Sequence, residues 1–270
     1  MTAAALATTE VVELAGRPSR GNGVAVRIDN VSKTYGNGNG RLLAVDHVGI
    51  DVERGEFLCL VGASGCGKST LLTMIAGLDK PTTGGIEVSD GKPALMFQEP
   101  ALLPWLTVHD NVEMPLKLQK VDKAQRRDRV HELLQLVHLD SFAAKRPHEL
   151  SGGMRQRVAL ARALAQTTRV LLMDEPFAAL DAITRDVLHE DLARIHASTG
   201  ITIVFVTHNV REAVRLGDRV VMLSSRPGRV VAEWDVAIER PRRIESPEVG
   251  ALSVVITDRL REEIGRHGRH

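Results

Sequence analysis

The sequence predicts an α/β fold: a parallel sheet with helices on both faces. Three observations carry that expectation. Short, continuous apolar runs of strand length recur at residues 57–61, 94–97, 170–173, 201–206 and 220–223, as strands buried on both faces read. Stretches of helical spacing lie between them, and strands that alternate with helices build parallel sheets. A glycine-rich run from Gly62 to Ser69 joins the first of these strands to an apolar helix expected at 69–77.

Taken in order, residues 1–23 are rich in Ala, Thr and Gly without periodicity and read as a disordered tail. Val24, Val26, Ile28 and Val31 alternate as a strand leading to Tyr35, and 36–40 is a glycine–asparagine loop. Residues 42–52 read as one or two further strands, closed by a turn at 53–55. A turn is expected at 81–85 and a strand at 94–97. The character then changes. Residues 99–165 read as a helical insertion, with charged and apolar residues at helical spacing over 123–137 and a second helix opening near Ser151. Residues 253–264 fit one amphipathic helix, and the basic stretches 240–243 and 266–270 read as solvated surface.

Composition narrows the function. With 43% apolar residues among 270, the chain can bury a substantial core. Its 35 basic and 34 acidic side chains leave a net charge of +1, which argues against a nucleic-acid partner. Two cysteines, Cys59 and Cys66, make no disulfide framework and indicate a reducing compartment. Cys59 reads as a core residue of its strand. Cys66 lies at a helix N-terminus that favours its thiolate, a potential modification site. No run approaches the roughly 18 apolar residues of a membrane span, and no basic-then-apolar leader opens the chain. Any membrane role must come through a partner.

The run Gly62-Ala63-Ser64-Gly65-Cys66-Gly67-Lys68-Ser69, followed by Thr70, has the spacing of a phosphate-binding loop. Its glycines let successive N–H groups converge on phosphate oxygens, and the following helix aims its positive end at the same anion. Lys68 reaches the β- and γ-phosphates, and the Ser69 hydroxyl suits Mg²⁺. The strand at 170–173 delivers Asp174 and Glu175 at its C-terminal end, where ligands of open α/β sheets bind. Asp174 is suited to hold Mg²⁺ and Glu175 to polarise a water attacking the γ-phosphorus. Leu150-Ser151-Gly152-Gly153-Met154-Arg155-Gln156-Arg157 opens a helix with Ser151 as its cap, a second anion site. One nucleotide does not need two helix N-termini on one chain. A head-to-tail dimer, each phosphate loop facing the partner copy's 151–153, accounts for both.

Those residues resemble the signature sequence of ABC ATPases, and the resemblance covers 24–228 in order. It implies that Tyr35, 27 residues before Gly62, stacks on adenine. Gln98 matches the glutamine that contacts Mg²⁺ and senses the γ-phosphate, and His208 the switch histidine that binds that phosphate. Leu180-Asp181 matches the loop lying across the dimer interface. Ala179 departs from the serine many members carry there. The implied fold is a P-loop NTPase (RecA-like) core over 24–98 and 165–250, with an N-terminal antiparallel β-subdomain and an α-helical subdomain inserted at 99–164. A C-terminal helix or tail follows at 251–270.

Three stretches, 97–105, 173–181 and Leu223-Ser224-Ser225-Arg226-Pro227-Gly228-Arg229, resemble the ATPase subunits of bacterial nitrate, sulfonate and taurine importers. That resemblance implies an ATP- and Mg²⁺-dependent subunit at the cytoplasmic face of the inner membrane. Its partners would be permease subunits, an extracytoplasmic solute-binding protein, and a second ATPase copy or a paralogue. A soluble ABC ATPase of repair, translation or cofactor assembly, and an exporter ATPase, are the competing classes. The apolar segment 99–106, with Trp105 and Leu106, reads either as core of the helical subdomain or as a docking surface for the membrane partner.

Overall fold

Apolar alternation divides the strands between two sheets and two cores. The computed structural model describes residues 23–36, 40–89 and 91–267. The expected tail over 1–22, the centre of the loop at 37–39 and the end of the basic stretch at 268–270 lie outside them. β1 (Val24–Tyr35) pairs antiparallel with β2 (Leu42–Glu53) and β4 (Thr83–Val88) in a small sheet of order β2-β1-β4. The larger sheet runs β5 (Ala94–Met96), β6 (Val170–Asp174), β7 (Thr202–Val206), β3 (Phe57–Val61), β8 (Arg219–Leu223) and β9 (Val230–Asp235). Its neighbours are parallel except β8 and β9.

Successive strand side chains face opposite ways, so each central strand feeds both cores. Phe57, Cys59, Val61, Leu171, Met173, Ile203 and Phe205 join one; Leu58, Leu60, Val170, Leu172, Val204 and Val206 join the other. All are buried, and each large one contributes about 1.5–3 kcal/mol. That two-sided burial is why these segments read as unbroken apolar runs.

The first core is covered by α2 (Val108–Leu118), α3 (Lys123–Leu136), α4 (Gly152–Leu164), α5 (Ala182–Thr199), α6 (Val210–Leu216) and α7 (Pro247–His267). The second lies between the large sheet, the small sheet and α1 (Lys68–Ile75). Side chains of Thr107, Asp122, Ser151, Asp181 and Asn209 accept N–H groups of the first turns of α2, α3, α4, α5 and α6. Each such cap stabilises its helix by about 0.5–2 kcal/mol.

Four expectations are corrected. Residues 81–85 are not simply a turn: Gly84 and Gly85 belong to β4, whose pairing with β1 is interrupted beside Gly84. Gly84 has φ 81°, and a Cβ there would lie 2.4 Å from Asn30 O, so glycine serves a close backbone approach inside a strand. β9 adds an antiparallel edge to the expected parallel sheet. The C-terminal helix starts well before residue 253 and packs on α6. Finally, residues 240–243 are not merely solvated surface. Arg242 is buried and donates to the carbonyls of Ile238, Val214, Gly217 and Val236, and burial pulls its pKa down to about 10. Arg240 bridges to Asp218 at 2.8 Å. Among the described residues no helix is long and apolar enough to cross a membrane.

Candidate active site

Four β-strand C-termini of the large sheet, those of β3, β5, β6 and β7, precede the predicted catalytic groups Lys68, Gln98, Glu175 and His208. β3 ends at Val61, and the chain turns through Gly62, Gly65 (φ 74°) and Gly67 (φ 100°) into α1. A Cβ on Gly67 would sit 2.8 Å from Ala44 O, so close packing as well as backbone angle demands glycine there. Lys68 is buried, and its Nζ donates to Gly62 O and Ala63 O, each at 2.9 Å. Ser64, Gly65 and Ser69 are exposed, and Ala63, Gly67 and Thr70 half-buried. The Cys66 expectation is overturned. Its thiol is buried, and burial raises its pKa although Lys68 works in the opposite direction, so it is neither accessible nor activated.

Asp174 ends β6 and hydrogen-bonds with the Ser69 side chain. Burial pushes the Asp174 carboxyl above its ordinary range, Glu175 adds to the rise, and Ser69 and Lys68 oppose it. Two oxygen donors of this kind beside the phosphate loop fit a hard divalent cation. Glu175 follows in the left-handed region at φ 45°, a conformation costing a non-glycine residue about 1–2 kcal/mol. Its N–H donates to Val206 O at 3.0 Å, which ties the turn to β7. His208, just past β7, brings Nδ1 to 2.9 Å from Glu175 Oε2. Glu175, Arg185, Thr207, His208, Asn209 and Glu212 line a small polar cleft.

Sequence reasoning missed the groups that hold this arrangement. The Thr207 hydroxyl donates to Glu212, which lies 2.5 Å from Nε2 of the buried His189. Arg185 donates to Phe177 O and Leu180 O and so fixes the loop after Glu175. α4 grips the segment after β5 through Gln156 to Gln98 O at 2.8 Å and Arg162 to Pro100 O at 2.7 Å. His189, Gln156 and Arg162 bind partners distant in sequence, which no spacing rule announces, whereas Thr207 and Arg185 bind partners five to eight residues away across turns.

The remaining predicted residues fall in three places. The Gln98 side chain is exposed and makes no hydrogen bond among the described residues to Ser69 or Asp174. Tyr35 is half-exposed, its hydroxyl donating to Asp79 at 3.0 Å with the Lys33 ammonium 4.9 Å from its ring centroid. Ser151 is exposed and caps α4 through Met154 N–H, while Gly153 packs so close to α5 that a Cβ would meet Thr184 Cγ2 at 2.4 Å. Gly152 is half-buried beside Leu180, and Asp181 caps α5 through Thr184 N–H at 2.9 Å. Trp105 is 67% exposed and therefore not core of the helical region, whereas Leu102 packs against the core.

Comparison with known proteins places this geometry among relatives. A family model described as ABC transporter matches residues 45–178. An uncharacterised ABC transporter ATP-binding protein of Methanocaldococcus jannaschii is 42% identical over 249 residues, covering 89% of this chain and 93% of the relative. A nitrate import ATP-binding protein of Synechococcus elongatus is 39% identical over 250 residues, covering 87% and 91%. A taurine import ATP-binding protein of Rhizobium johnstonii is 45% identical over 224 residues, covering 80% and 85%. A bacterial ABC transporter cassette solved as a dimer aligns with a TM-score of 0.71 at 35% identity, over 79% of this chain and all of that one. The same cassette in a post-hydrolysis state, bound to ADP and Pi, aligns with a TM-score of 0.69.

Proposed function

This chain belongs to the ABC transporter family, and on that premise we propose that it binds and hydrolyses ATP to energise import of a small anion such as nitrate, a sulfonate or taurine. The nitrate and taurine import relatives support the importer class over a soluble ABC ATPase or an exporter.

One observation carries the working form. α1 packs in the core on one face of the large sheet and α4 in the core on the other. The two helix N-termini that suit phosphate therefore belong to opposite faces, and the exposed Ser151 serves a nucleotide held by a second copy. Two copies, or this chain and a paralogue, close head to tail on two ATP molecules, with Ser151, Gly152 and Gly153 completing the partner's site and Asp181 at the interface.

Within each site, residues 62–70 cradle the triphosphate and Tyr35 stacks on adenine. Lys68 exchanges its carbonyl partners for the β- and γ-phosphate oxygens. Ser69, Asp174 and Gln98 would hold Mg²⁺, which would supply positive charge to offset that of the phosphates. Glu175 accepts the proton of the attacking water, and His208 stabilises charge on the phosphoryl group in transfer. Gln156 and Arg162 tie α4 to residues 98–101, the start of the segment that leads to Trp105. Closure then moves the exposed Trp105, which with Leu106 anchors a permease subunit. The chain works peripherally at the cytoplasmic face of the membrane, and an extracytoplasmic binding protein delivers the solute.

Affinity purification from detergent-solubilised host membranes tests the transport role. A multi-span permease and a binding protein should co-purify; ribosomes or repair proteins without a permease would refute it. For the chemistry, Glu175→Gln should bind ATP, accumulate as a closed dimer by size exclusion, and lose about 10²–10⁴ in kcat. Normal turnover in that variant would rule out Glu175 as the base.

A further inference from the structure

The turn between β8 and β9 lies directly against the phosphate loop. Arg226 Nε donates to Gly65 O at 3.1 Å, and a Cβ on Gly65 would sit 3.0 Å from Arg226 Nη2. The guanidinium therefore runs along the loop's exposed tip.

The turn that presents Arg226 is held from every side. Ser224 is buried; its N–H donates to Arg229 O at 2.8 Å, and its Oγ donates to Pro227 O at 2.7 Å. The Gly228 N–H donates to Ala44 O and its carbonyl accepts the Asp46 N–H, both at 2.9 Å. Arg229 pairs with Asp46, Nε to Oδ2 at 2.7 Å, and that guanidinium holds the Asp46 carboxyl below its ordinary range. The two arginines of one turn thus differ. Arg229 is neutralised by a carboxylate, whereas among the described residues no carboxylate pairs with the exposed Arg226. Among the described residues its hydrogen-bond partner is a carbonyl, and the remaining N–H donors of its fork stay available.

We propose that Arg226 is a further residue of the nucleotide site, bracing the tip of the phosphate loop and adding a positive charge beside the bound triphosphate. The inference rests on the nucleotide-site reading above. A cation tethered to the loop acts within a Debye length of the phosphates, about 10 Å at 0.1 M salt, so its effect is strong at low salt and fades as salt rises. Guanidinium also suits phosphate oxygens in geometry as well as charge.

The test is a titration of the wild type, Arg226→Ala and Arg226→Lys with a fluorescent ATP analogue at low and high salt, alongside melting curves. Arg226→Ala should weaken binding about fivefold at low salt. Arg226→Lys should recover most of the loss, and the wild-type advantage over Ala should shrink at high salt. Equal affinity of Ala and wild type would overturn the proposal. So would equal weakening of Ala and Lys with lowered melting temperature and no salt dependence, which would mean the turn acts by shape alone. A wild type that fails to bind the analogue would sink the nucleotide-site reading instead.

Discussion

Replacing Gly228 by alanine perturbs the phosphate loop from behind, at a residue outside the loop's own motif. Gly228 is wedged between β2 and Cys66, with its N–H on Ala44 O and its carbonyl on Asp46 N–H. A Cβ there would stand 2.1 Å from Cys66 O, against an ordinary carbon–oxygen approach of about 3.3 Å. The two must separate by roughly 1 Å. Gly228 cannot retreat without breaking both hydrogen bonds to β2, so the displacement falls on the loop. Overpacking of this kind costs about 1–3 kcal/mol, or roughly 2–10 °C in Tm for a chain of this size. A shift of about 1 Å in a substrate-positioning loop costs on the order of 10²-fold in kcat/KM. Calorimetry and steady-state ATPase assays read both. Gly250→Ala is the control: it lies in α7 with nothing within 4 Å of the added Cβ, and should stabilise by about 0.5–1 kcal/mol. Unchanged Tm and unchanged kcat/KM in Gly228→Ala would refute the reasoning.

Two further outcomes are expected. Asp174→Asn should lose hydrolysis yet melt higher than wild type when measured with a chelator present. The folded carboxyl titrates above its unfolded value, so its contribution to stability is greatest in acid and falls as pH rises through the folded pKa. The advantage of Asn should accordingly grow towards neutral pH and vanish in acid; a constant difference across pH would contradict the assigned burial. Trp105→Ala should leave Tm and the ATPase of the isolated subunit unchanged while abolishing co-purification of the permease. A large fall in Tm would instead mean that the exposed indole is packed against the chain.

Much of the candidate site was legible because its proposed chemistry is local. Gly62 to Ser69 must be contiguous to curl around phosphate, and Asp174-Glu175 must follow an apolar strand to reach the sheet's C-terminal edge. Cys66 shows the limit of that logic. A helix N-terminus argues for a reactive thiolate, but burial of the sulfur against Gly62 outweighs it. Arg240 and Arg242 show the same failure in reverse, since a basic run reads as surface until distant carbonyls are brought over it. β4 was obscured because Gly84 and Gly85 carry turn propensity, while cross-strand pairing with β1 sets their conformation.

The sequence by itself determined the α/β class and the family and pointed to the candidate phosphate loop and carboxylate pair, because spacing along the chain encodes periodicity and backbone-driven anion binding. Tertiary structure decided which groups support that machinery. It placed Glu212 under Thr207, Gln156 and Arg162 on the segment after β5, and Arg226 at the tip of the phosphate loop. The last three join segments far apart in the chain, and Glu212 reaches Thr207 across the β7–α6 turn, so the folded backbone brings each pair within hydrogen-bonding reach.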